Sequence, residues 1–411
     1  MDVVVSRSEI NGVAVPPPSK SYTHRALIAA SLSGRARVFN PLFSEDTIAT
    51  MRACRNMGAR IERKRDFLLI EGCDVRGGYY YFANSGTTLR IFIALLAMTG
   101  DTSTLDGDAS LRRRPNRELA IAVEKLGGRV WGRGGYEAPL RVRGIMKGGE
   151  VELKAMSSQF VTALLFALPL AKFESKIVAN VTSKPYIDVT LHVLEESGVR
   201  VWSEDAYYVE PSDFRLRKFR VPVDFSSASY LIAAGLLAGE VRILNAYDTF
   251  QGDKKIVDVA RQMGGDVRWN REEGVIVARR SELEGVEFDA RETPDLVPTV
   301  AVLAAAAKGV SVIRNAEHLR IKESDRIATI CRNLRALGFE VEEYADGMKI
   351  VGRSGNFSGT VDSFGDHRIA MSFSLLGLLG KIKVRGAECV SVSFPGFFEV
   401  LRSLGARVSR A

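Results

Sequence analysis

The 411-residue sequence predicts an α/β protein made of six copies of one β-α-β-α-β-β unit. Two periodic markers and two proline-bearing segments carry this prediction. The first marker is a glycine that follows an amphipathic helix and precedes a short alternating strand. Its successive copies are separated by 69, 71, 66, 74 and 67 residues. The six copies are Gly58, Gly127, Gly198, Gly264, Gly338 and Gly405.

The second marker is a small residue after an alanine- and leucine-rich helix, and it keeps a similar period. Its copies are Gly34, Gly100, Ala171, Gly239, Gly309 and Gly380. Glycine just past a helix supplies the left-handed conformation that ends it, so we expect both markers to be helix ends. The last copy of the unit lacks a strand. We therefore expect the strand at residues 3–5 to complete it, so that the chain closes on itself.

The proline-bearing segments divide the six units into two groups of three. One unit cannot bury its own faces, so units must pack together. Residues 16–18 and 220–223 are proline-bearing and stiff, which suits crossovers between domains, although ordinary surface loops would look the same. We expect one domain at 16–222, and a second domain made of 1–15 and 223–411.

The composition is that of a globular protein, with 46% apolar and 26% charged residues. The longest nearly apolar stretch, 160–171, is shorter than the ~20 residues of a membrane span, and the first residues do not resemble a targeting leader. We therefore expect a cytoplasmic protein. Its four cysteines and four histidines are widely spaced, which favours reduced thiols over disulfides or a metal site.

The net charge of +8 suits a nucleic acid, a membrane surface or a small polyanionic substrate. The cations of interest lie at helix starts and in tight glycine or proline turns, with few aromatic neighbours. This placement argues against nucleic-acid binding. Neither a P-loop nor a dinucleotide-binding fingerprint occurs. A monomer that binds small anions is the expectation.

Polar residues open the alanine-rich helices, at 19–25, 84–90, 157–159, 225–229, 293–295 and 365–368. Most of them are explained as helix N-caps. Lys20, Arg25 and Arg368 are not, because cations are disfavoured at the positive end of a helix unless an anion is bound there.

A second group of charges lies at 320–326, where acids and bases alternate in a stretch expected to begin a helix. Lys322 and Arg326, four residues apart, should share a face with Glu323 beside them. A carboxylate among cations can move a proton while the cations hold phosphate. The expected ligand is small and multiply phosphorylated or carboxylated.

Nine segments together resemble the 5-enolpyruvylshikimate-3-phosphate (EPSP) synthase family of enolpyruvyl transferases. They are 18–25 (PSKSYTHR), 84–90 (NSGTTLR), 108–115 (DASLRRRP), 157–160 (SSQF), 183–188 (SKPYID), 251–253 (QGD), 294–295 (PD), 320–326 (RIKESDR) and 365–368 (GDHR). The resemblance implies a two-domain inside-out α/β barrel with three units per domain. The implied reaction transfers the enolpyruvyl group of phosphoenolpyruvate to the 5-hydroxyl of shikimate 3-phosphate and releases phosphate, with no metal or organic cofactor.

The resemblance also implies residue roles. For shikimate 3-phosphate it implies Lys20, Ser21, Arg25, Ser157, Ser158, Gln159, Ser183, Tyr186, Asp295 and Lys322. For phosphoenolpyruvate it implies Lys20, Asn84, Gly86, Arg114, Gln159, Arg326, His367 and Arg368. Asp295 would be the base for the 5-hydroxyl, and Glu323 with Lys20 would move the proton at C3, with Lys322 beside them.

Two positions depart from the family pattern. Val392 stands where many members carry a lysine. His318 stands where some carry an asparagine, and it either replaces a contact to the shikimate ring or faces solvent.

Two other functions remain open at this point. The sister enzyme that acts on UDP-N-acetylglucosamine has Lys-Asn in its first helix and usually a cysteine in a loop that here, at 101–118, has none. A repeat scaffold without activity would leave Lys20, Asp295 and Glu323 dispensable.

Overall fold

The structure, a computed structural model, describes residues 1–134, 136–155 and 157–411. Its strands in these residues are β1 (Val3–Ser6), β2 (Ile10–Ala14), β3 (Arg35–Phe39), β4 (Arg60–Arg63), β5 (Phe67–Glu71), β6 (Tyr79–Tyr81), β7 (Ser103–Asp106), β8 (Gly128–Arg133), β9 (Glu137–Gly144), β10 (Gly149–Ala155), β11 (Ser175–Val181), β12 (Val201–Ser203), β13 (Tyr207–Val209), β14 (Lys218–Arg220), β15 (Gly239–Ile243), β16 (Asp266–Asn270), β17 (Val275–Arg279), β18 (Glu287–Asp289), β19 (Gly309–Arg314), β20 (Glu340–Tyr344), β21 (Gly347–Gly352), β22 (Ser358–Asp362), β23 (Lys381–Arg385) and β24 (Arg407–Arg410).

The helices alternate with these strands. They are α1 (Lys20–Leu32), α2 (Glu45–Met57), α3 (Gly86–Leu96), α4 (Arg117–Lys125), α5 (Ser158–Ala167), α6 (Pro185–Glu196), α7 (Phe225–Ala238), α8 (Ile256–Gln262), α9 (Val297–Ala306), α10 (Arg326–Ala336), α11 (His367–Leu376) and α12 (Phe397–Ser403). Short 3₁₀ turns lie at Leu111–Arg113, Leu168–Leu170, Gly252–Lys255, Pro294–Leu296, Glu317–Ile321, Gly377–Leu379 and Ala387–Val392.

The chain forms two compact units. The continuous unit is Pro18–Val221, and the split unit combines Met1–Pro17 with Pro222–Ala411. Each unit has its own hydrophobic core, because the two clusters of buried apolar residues share no member.

The described residues form six four-stranded sheets with one common plan: a parallel pair is followed by two antiparallel strands. The continuous unit has the strand orders β14-β3-β5-β4, β6-β7-β9-β8 and β10-β11-β13-β12. The split unit has β2-β15-β17-β16, β18-β19-β21-β20 and β22-β23-β1-β24. The predicted α/β fold of six repeated units is therefore confirmed.

Residues near the start of the chain contribute to two sheets. Strand β1 lies between β23 and β24, so that Val3 faces both Val384 and Arg410 across antiparallel ladders. Val3 and Val5 are buried, which fixes the register because a slip by one residue would expose them. Strand β2 pairs in parallel with β15.

The alanine-rich helices form the centre of each core. All fourteen residues of α7 are buried, and α9 and α11 are buried along almost their whole length and contact α7 and each other. A helix that is apolar all round must be enclosed by protein. The polar residues singled out above lie in the first turns of these helices or just before them.

The two glycine markers have different physical causes. The first has positive φ in all six copies, from 72° at Gly198 to 123° at Gly58, as expected for a helix end. In the second marker only Gly100 and Gly309 are left-handed (φ 77° and 84°), and the expectation is wrong for the other four copies. Gly34 and Ala171 (φ −76°) lie outside the left-handed region. Gly239 and Gly380 have extended backbone (φ 165° and −166°). There a Cβ would lie within 1.8 Å of Ile10 O and 2.0 Å of Phe357 O, so the close approach of a neighbouring chain segment requires glycine.

Candidate functional site

In the continuous unit, Lys20 is the first residue of α1 and is held by an ion pair. The hydroxyl of Ser19 caps the helix by accepting from the Tyr22 N–H. Lys20 Nζ lies 2.9 Å from Asp46 Oδ2, and only 17% of the Lys20 side chain and 8% of the Asp46 side chain are exposed. Asp46 therefore fixes the direction of the ammonium group.

Sequence reasoning missed Asp46. It lies in the first turn of α2, where an acidic residue is already explained by the helix dipole, so no pattern distinguished it. Asp46 Oδ1 is buried and makes no hydrogen bond with the described residues, which leaves an acceptor beside Lys20.

Arg25 is buried and joins three helix starts. Its Nε donates to Thr190 Oγ1 at 2.8 Å and its Nη2 to Tyr186 O at 3.0 Å, both in α6. Nη1 donates to Ser21 O, and Nη2 also lies 3.3 Å from Thr162 Oγ1 in α5. Burial lowers the pKa of Arg25 to about 10, which still leaves it charged at neutral pH. Because most of its donors are occupied, Arg25 chiefly holds the first turns of α1, α5 and α6 together.

Those first turns carry the predicted serines. Ser157 caps α5 by accepting from the Gln159 N–H, and Ser158 is buried beside it. Ser183, just before α6, is buried in the left-handed region with φ 64°, a conformation that costs free energy in a residue with a side chain. The structure thus brings hydroxyl groups, first-turn N–H groups and Lys20 to one end of three packed helices, which is a favourable anion site.

A second cluster surrounds the start of α3. Arg114 Nη2 donates to Asn84 Oδ1 at 2.5 Å, and Arg90 Nη1 donates to Gln159 Oε1. A Cβ built on Gly86 would lie 3.1 Å from Arg114 Nη1, 3.4 Å from Arg90 Nη1 and 3.6 Å from Gln159 Oε1. Glycine thus lets two guanidinium groups approach the positive end of α3, an arrangement that an anion would stabilise. Arg90 was not among the predicted site residues, although it ends a motif that was.

In the split unit, one buried guanidinium group joins three carboxylates. Arg326 is 1% exposed; its Nε, Nη1 and Nη2 lie 2.8, 2.8 and 2.7 Å from Asp366, Asp295 and Glu323 respectively. Arg368 Nη2 lies 2.6 Å from the other oxygen of Asp295. The starts of α10 and α11 and the turn before α9 are thereby linked.

The predicted helical face at 320–326 is wrong. Helix α10 begins only at Arg326, capped by Asp325, which accepts from the Ala328 N–H at 3.0 Å. Lys322 and Glu323 lie ahead of the helix in the connection after a 3₁₀ turn. The Asp325 cap stops the helix there, and Glu323 reaches Arg326 from outside it.

The charge of Asp295 is set by its neighbours. Burial acts to raise its pKa, but Arg368, Arg326 and Lys322 outweigh burial and lower that pKa well below its usual range. Asp295 is therefore ionised and, in this state, a weak base. An anionic ligand on Arg326 and Arg368 would weaken both contacts and raise the pKa of Asp295.

His318 is buried, with 2% of its surface exposed, so the solvent-facing alternative is wrong. Neither of its ring nitrogens makes a hydrogen bond with the described residues. Burial, followed by Lys322, lowers its pKa to about 4, and the ring is neutral at pH 7. His367 opens α11 and is buried, and Val392 is half-buried at the end of a 3₁₀ turn.

The described parts of the chain contain no group of His, Cys, Asp and Glu side chains that could hold a metal ion. Across these same residues, no helix is long and apolar enough to cross a membrane. What each unit does contain is a set of helix starts with buried cations, suited to phosphate and carboxylate groups.

Comparison with known proteins gives consistent results. The family model described as EPSP synthase (3-phosphoshikimate 1-carboxyvinyltransferase) matches residues 4–401. The 3-phosphoshikimate 1-carboxyvinyltransferase of Archaeoglobus fulgidus is 60% identical over 415 residues, covering all of both chains. The solved EPSP synthase of Acinetobacter baumannii matches over all of both chains with a TM-score of 0.84 and 27% identity. The enolpyruvyl transferase NikO of Streptomyces tendae shares the fold, with a TM-score of 0.82, 16% identity, and coverage of 100% of this chain and 98% of its own.

Proposed function

Because the chain belongs to the EPSP synthase family, whose reaction transfers the enolpyruvyl group of phosphoenolpyruvate to shikimate 3-phosphate in the shikimate pathway, we propose that the clusters described above are its substrate sites. The observation that carries the proposal is the guanidinium group of Arg326, which forms ion pairs with both Asp295 and Glu323. Arg368 forms a second ion pair with Asp295. Together these groups supply cations for an anionic substrate and carboxylates for proton transfer in one place.

Shikimate 3-phosphate is proposed to bind chiefly at the starts of α1, α5 and α6. Its phosphate would accept hydrogen bonds from serine hydroxyls and helix N–H groups, and Lys20 would offset its charge. The residues assigned to it are Lys20, Ser21, Arg25, Ser157, Ser158, Gln159, Ser183, Tyr186, Asp295 and Lys322. The units are proposed to act as a shikimate-phosphate-side domain (16–222) and a second domain (1–15 with 223–411).

Phosphoenolpyruvate is proposed to bind arginine side chains. Planar guanidinium groups match carboxylate and phosphate oxygens in pairs, and the lack of a side chain at Gly86 leaves Arg114 close to the start of α3. The residues assigned to it are Lys20, Asn84, Gly86, Arg114, Gln159, Arg326, His367 and Arg368.

The proposed chemistry is addition followed by elimination through a tetrahedral intermediate. The 5-oxygen of shikimate 3-phosphate adds to C2 of phosphoenolpyruvate as it loses its proton to Asp295, and C3 gains a proton. C3 then loses a proton, the double bond re-forms and phosphate leaves. Glu323 and Lys20 are the proposed groups for the C3 proton, and the arginines stabilise charge on the departing phosphate.

Asp295 is suited to this role only with substrate bound. In the free protein two guanidinium groups depress its basicity, and the charge of bound phosphoenolpyruvate would partly compensate them. The base would then be strengthened by the arrival of the substrate it acts with. We also propose that the enzyme is a cytoplasmic monomer. It is proposed to work without a cofactor, because none of these steps requires one.

The test is phosphate release from phosphoenolpyruvate with shikimate 3-phosphate and with UDP-N-acetylglucosamine as rival acceptors. We expect phosphate release when shikimate 3-phosphate is the acceptor and none when UDP-N-acetylglucosamine is the acceptor. Lys20→Gln should abolish it, whereas Lys64→Gln, which alters an exposed ion pair with Glu62, should leave it unchanged. Release with UDP-N-acetylglucosamine, or an active Lys20→Gln variant, would contradict the proposal.

A further inference from the structure

The segment at 251–253 is one of the motifs of this sequence, but none of its residues has a role in the proposed reaction. Gln251 fastens it to α7, since its Oε1 accepts from the Phe225 N–H at 3.1 Å and its Nε2 donates to Val223 O at 2.8 Å. Asp253 follows in the 3₁₀ turn Gly252–Lys255 and is 3% exposed. The hydroxyl of Ser226, in the first turn of α7, donates to Asp253 Oδ2. A carboxyl group is thus held rigidly beside the start of a buried helix.

The charged neighbours of Asp253 come from all three buried helices of the split unit. They are Asp224 at the cap of α7, Asp295 in the turn before α9 and Arg368 in the first turn of α11. Burial and Asp295 act to raise the pKa of Asp253, and Arg368 and the Ser226 hydroxyl act to lower it. The result is a pKa of about 7.

We propose that Asp253 is a positioning residue that carries a proton in the competent enzyme and, through Arg368 and Asp295, couples phosphoenolpyruvate binding to proton uptake. The inference rests on the proposed role of Arg368 in binding that substrate. Arg368 is already shared with Asp295 at 2.6 Å. A second ionised carboxylate near it would compete with the substrate for the same guanidinium group.

The charge balance of the cluster supports this coupling. Without Asp253 it holds three cations, Arg326, Arg368 and Lys322, and four carboxylates, Asp224, Asp295, Glu323 and Asp366. A protonated Asp253 adds no further charge, whereas an ionised Asp253 makes the cluster more negative. Because the ligand is itself an anion, it binds the protonated form more tightly, and binding above pH 7 takes up a proton.

Asp253→Asn isolates this effect. Asparagine has nearly the size of aspartic acid and retains an oxygen that can accept from Ser226, but it cannot ionise. The titration of phosphoenolpyruvate itself is the same for both enzymes, so the parent-to-variant ratio of KM reports on Asp253 alone. We expect that ratio to be constant below pH 7 and to rise at least about fivefold by pH 8.5, towards the limit of tenfold per pH unit. The corresponding ratio for shikimate 3-phosphate should stay flat.

Ser226→Ala is a second variant with an opposite expectation. It removes a donor that favours the ionised carboxylate, so the pKa of Asp253 should rise and the increase in KM should begin at higher pH than in the parent. A flat phosphoenolpyruvate ratio for Asp253→Asn, or a Ser226→Ala profile displaced to lower pH, would overturn the proposal.

A titration without turnover provides an independent readout. In protein labelled with carbon-13 at aspartate carboxyl carbons, we expect one resonance with a midpoint near pH 7 that is absent from Asp253→Asn. If no such resonance is found, the inference is wrong. Arg368→Gln separates it from the proposed function: an unchanged KM for phosphoenolpyruvate would refute the role of Arg368 and the inference together. A raised KM with a flat Asp253→Asn ratio would refute the inference alone.

Discussion

At the scale of single residues, the most constrained group is the guanidinium of Arg326. Three carboxylates on one buried cation form a network in which removing the cation leaves uncompensated charge, which is strongly destabilising. The carboxylates differ in their surroundings. Asp366 is fully buried and also caps α11, whereas Asp295 and Glu323 keep 17% and 16% of their side chains exposed. Asp366 therefore serves the fold, and the other two are accessible to a ligand.

For Asp295→Asn we expect turnover to fall by about 10²-fold or more, the usual size of a general-base contribution. The KM for shikimate 3-phosphate should change little, since an amide oxygen can still accept from the neighbouring donors. Steady-state kinetics on the purified variant measures both. Turnover within a few fold of the parent would mean that another group is the base.

For Gly86→Ala we expect a raised KM for phosphoenolpyruvate, because the added methyl group would lie 3.1 Å from Arg114 Nη1 and would displace it. Gly34→Ala is the matched control, as a Cβ there meets no atom within 4 Å. Measuring KM for both substrates tests this. Equal values of KM for phosphoenolpyruvate in the two variants would refute the crowding argument.

The His318→Leu variant should be more stable than the parent and should bind shikimate 3-phosphate less tightly. The buried ring nitrogens have no hydrogen-bond partner in the described residues, so an apolar side chain should increase the free energy of unfolding by about 1 kcal/mol. If the substrate supplies the missing partner, the KM for shikimate 3-phosphate should rise at the same time. Denaturant titration and kinetics on one preparation test both, and a less stable variant with normal KM would contradict the expectation.

Motifs predict which residues belong to the site better than they predict the contacts that those residues make. Lys20, Arg25 and Arg368 stand out because cations at helix starts conflict with the helix dipole. Asp46 conflicts with no local rule, and its contact with Lys20 joins positions 26 residues apart. The helical face expected for Lys322 failed because a cap at Asp325 starts the helix later than the charge spacing suggested.

At the scale of elements, periodicity predicts the repeated unit, whereas strand pairing depends on contacts distant in sequence. The helix ends at the first glycine marker are local features, with positive φ in every copy. The pairing of β14 with β3 and of β2 with β15 joins segments from opposite parts of the chain. No local pattern encodes such neighbours. The sequence also cannot show that Gly239 and Gly380 are required by an approaching backbone.

Strand β1 provides a stability test at this scale. Val5 is fully buried in the middle of the last sheet, whereas Val4 points to the opposite face and is half-buried. Val5→Thr keeps the shape of the side chain and buries a hydroxyl group, and it should lower the free energy of unfolding by about 1–3 kcal/mol. Val4→Thr is the control, expected to cost much less. Equal losses in denaturant titrations would argue that β1 is not held in this register.

At the scale of the whole molecule, the net charge of +8 should assist the binding of anionic substrates. We expect the KM for both substrates to rise a few fold between about 20 mM and about 0.5 M potassium chloride. Added salt shortens the Debye length and so weakens the long-range attraction of the protein for anions. Buried contacts are screened less, which keeps the rise small. The turnover number should change less than KM. A KM independent of salt would show that only contacts within the site contribute to substrate binding.

The position of β1 also bears on how the chain could be reconnected. Val3 faces Arg410, and the Ala411 N–H donates to Asp2 O at 3.1 Å, so the two ends of the sequence lie side by side in one sheet. A short linker from Ala411 to Met1 would allow the chain to be opened instead between Val221 and Pro222. In such a circular permutant each compact unit would be one uninterrupted stretch of polypeptide, joined to the other by a single covalent link. The interleaved order of the two units along the present chain would then depend only on the position of the chain termini. The permutant should keep the same six sheets.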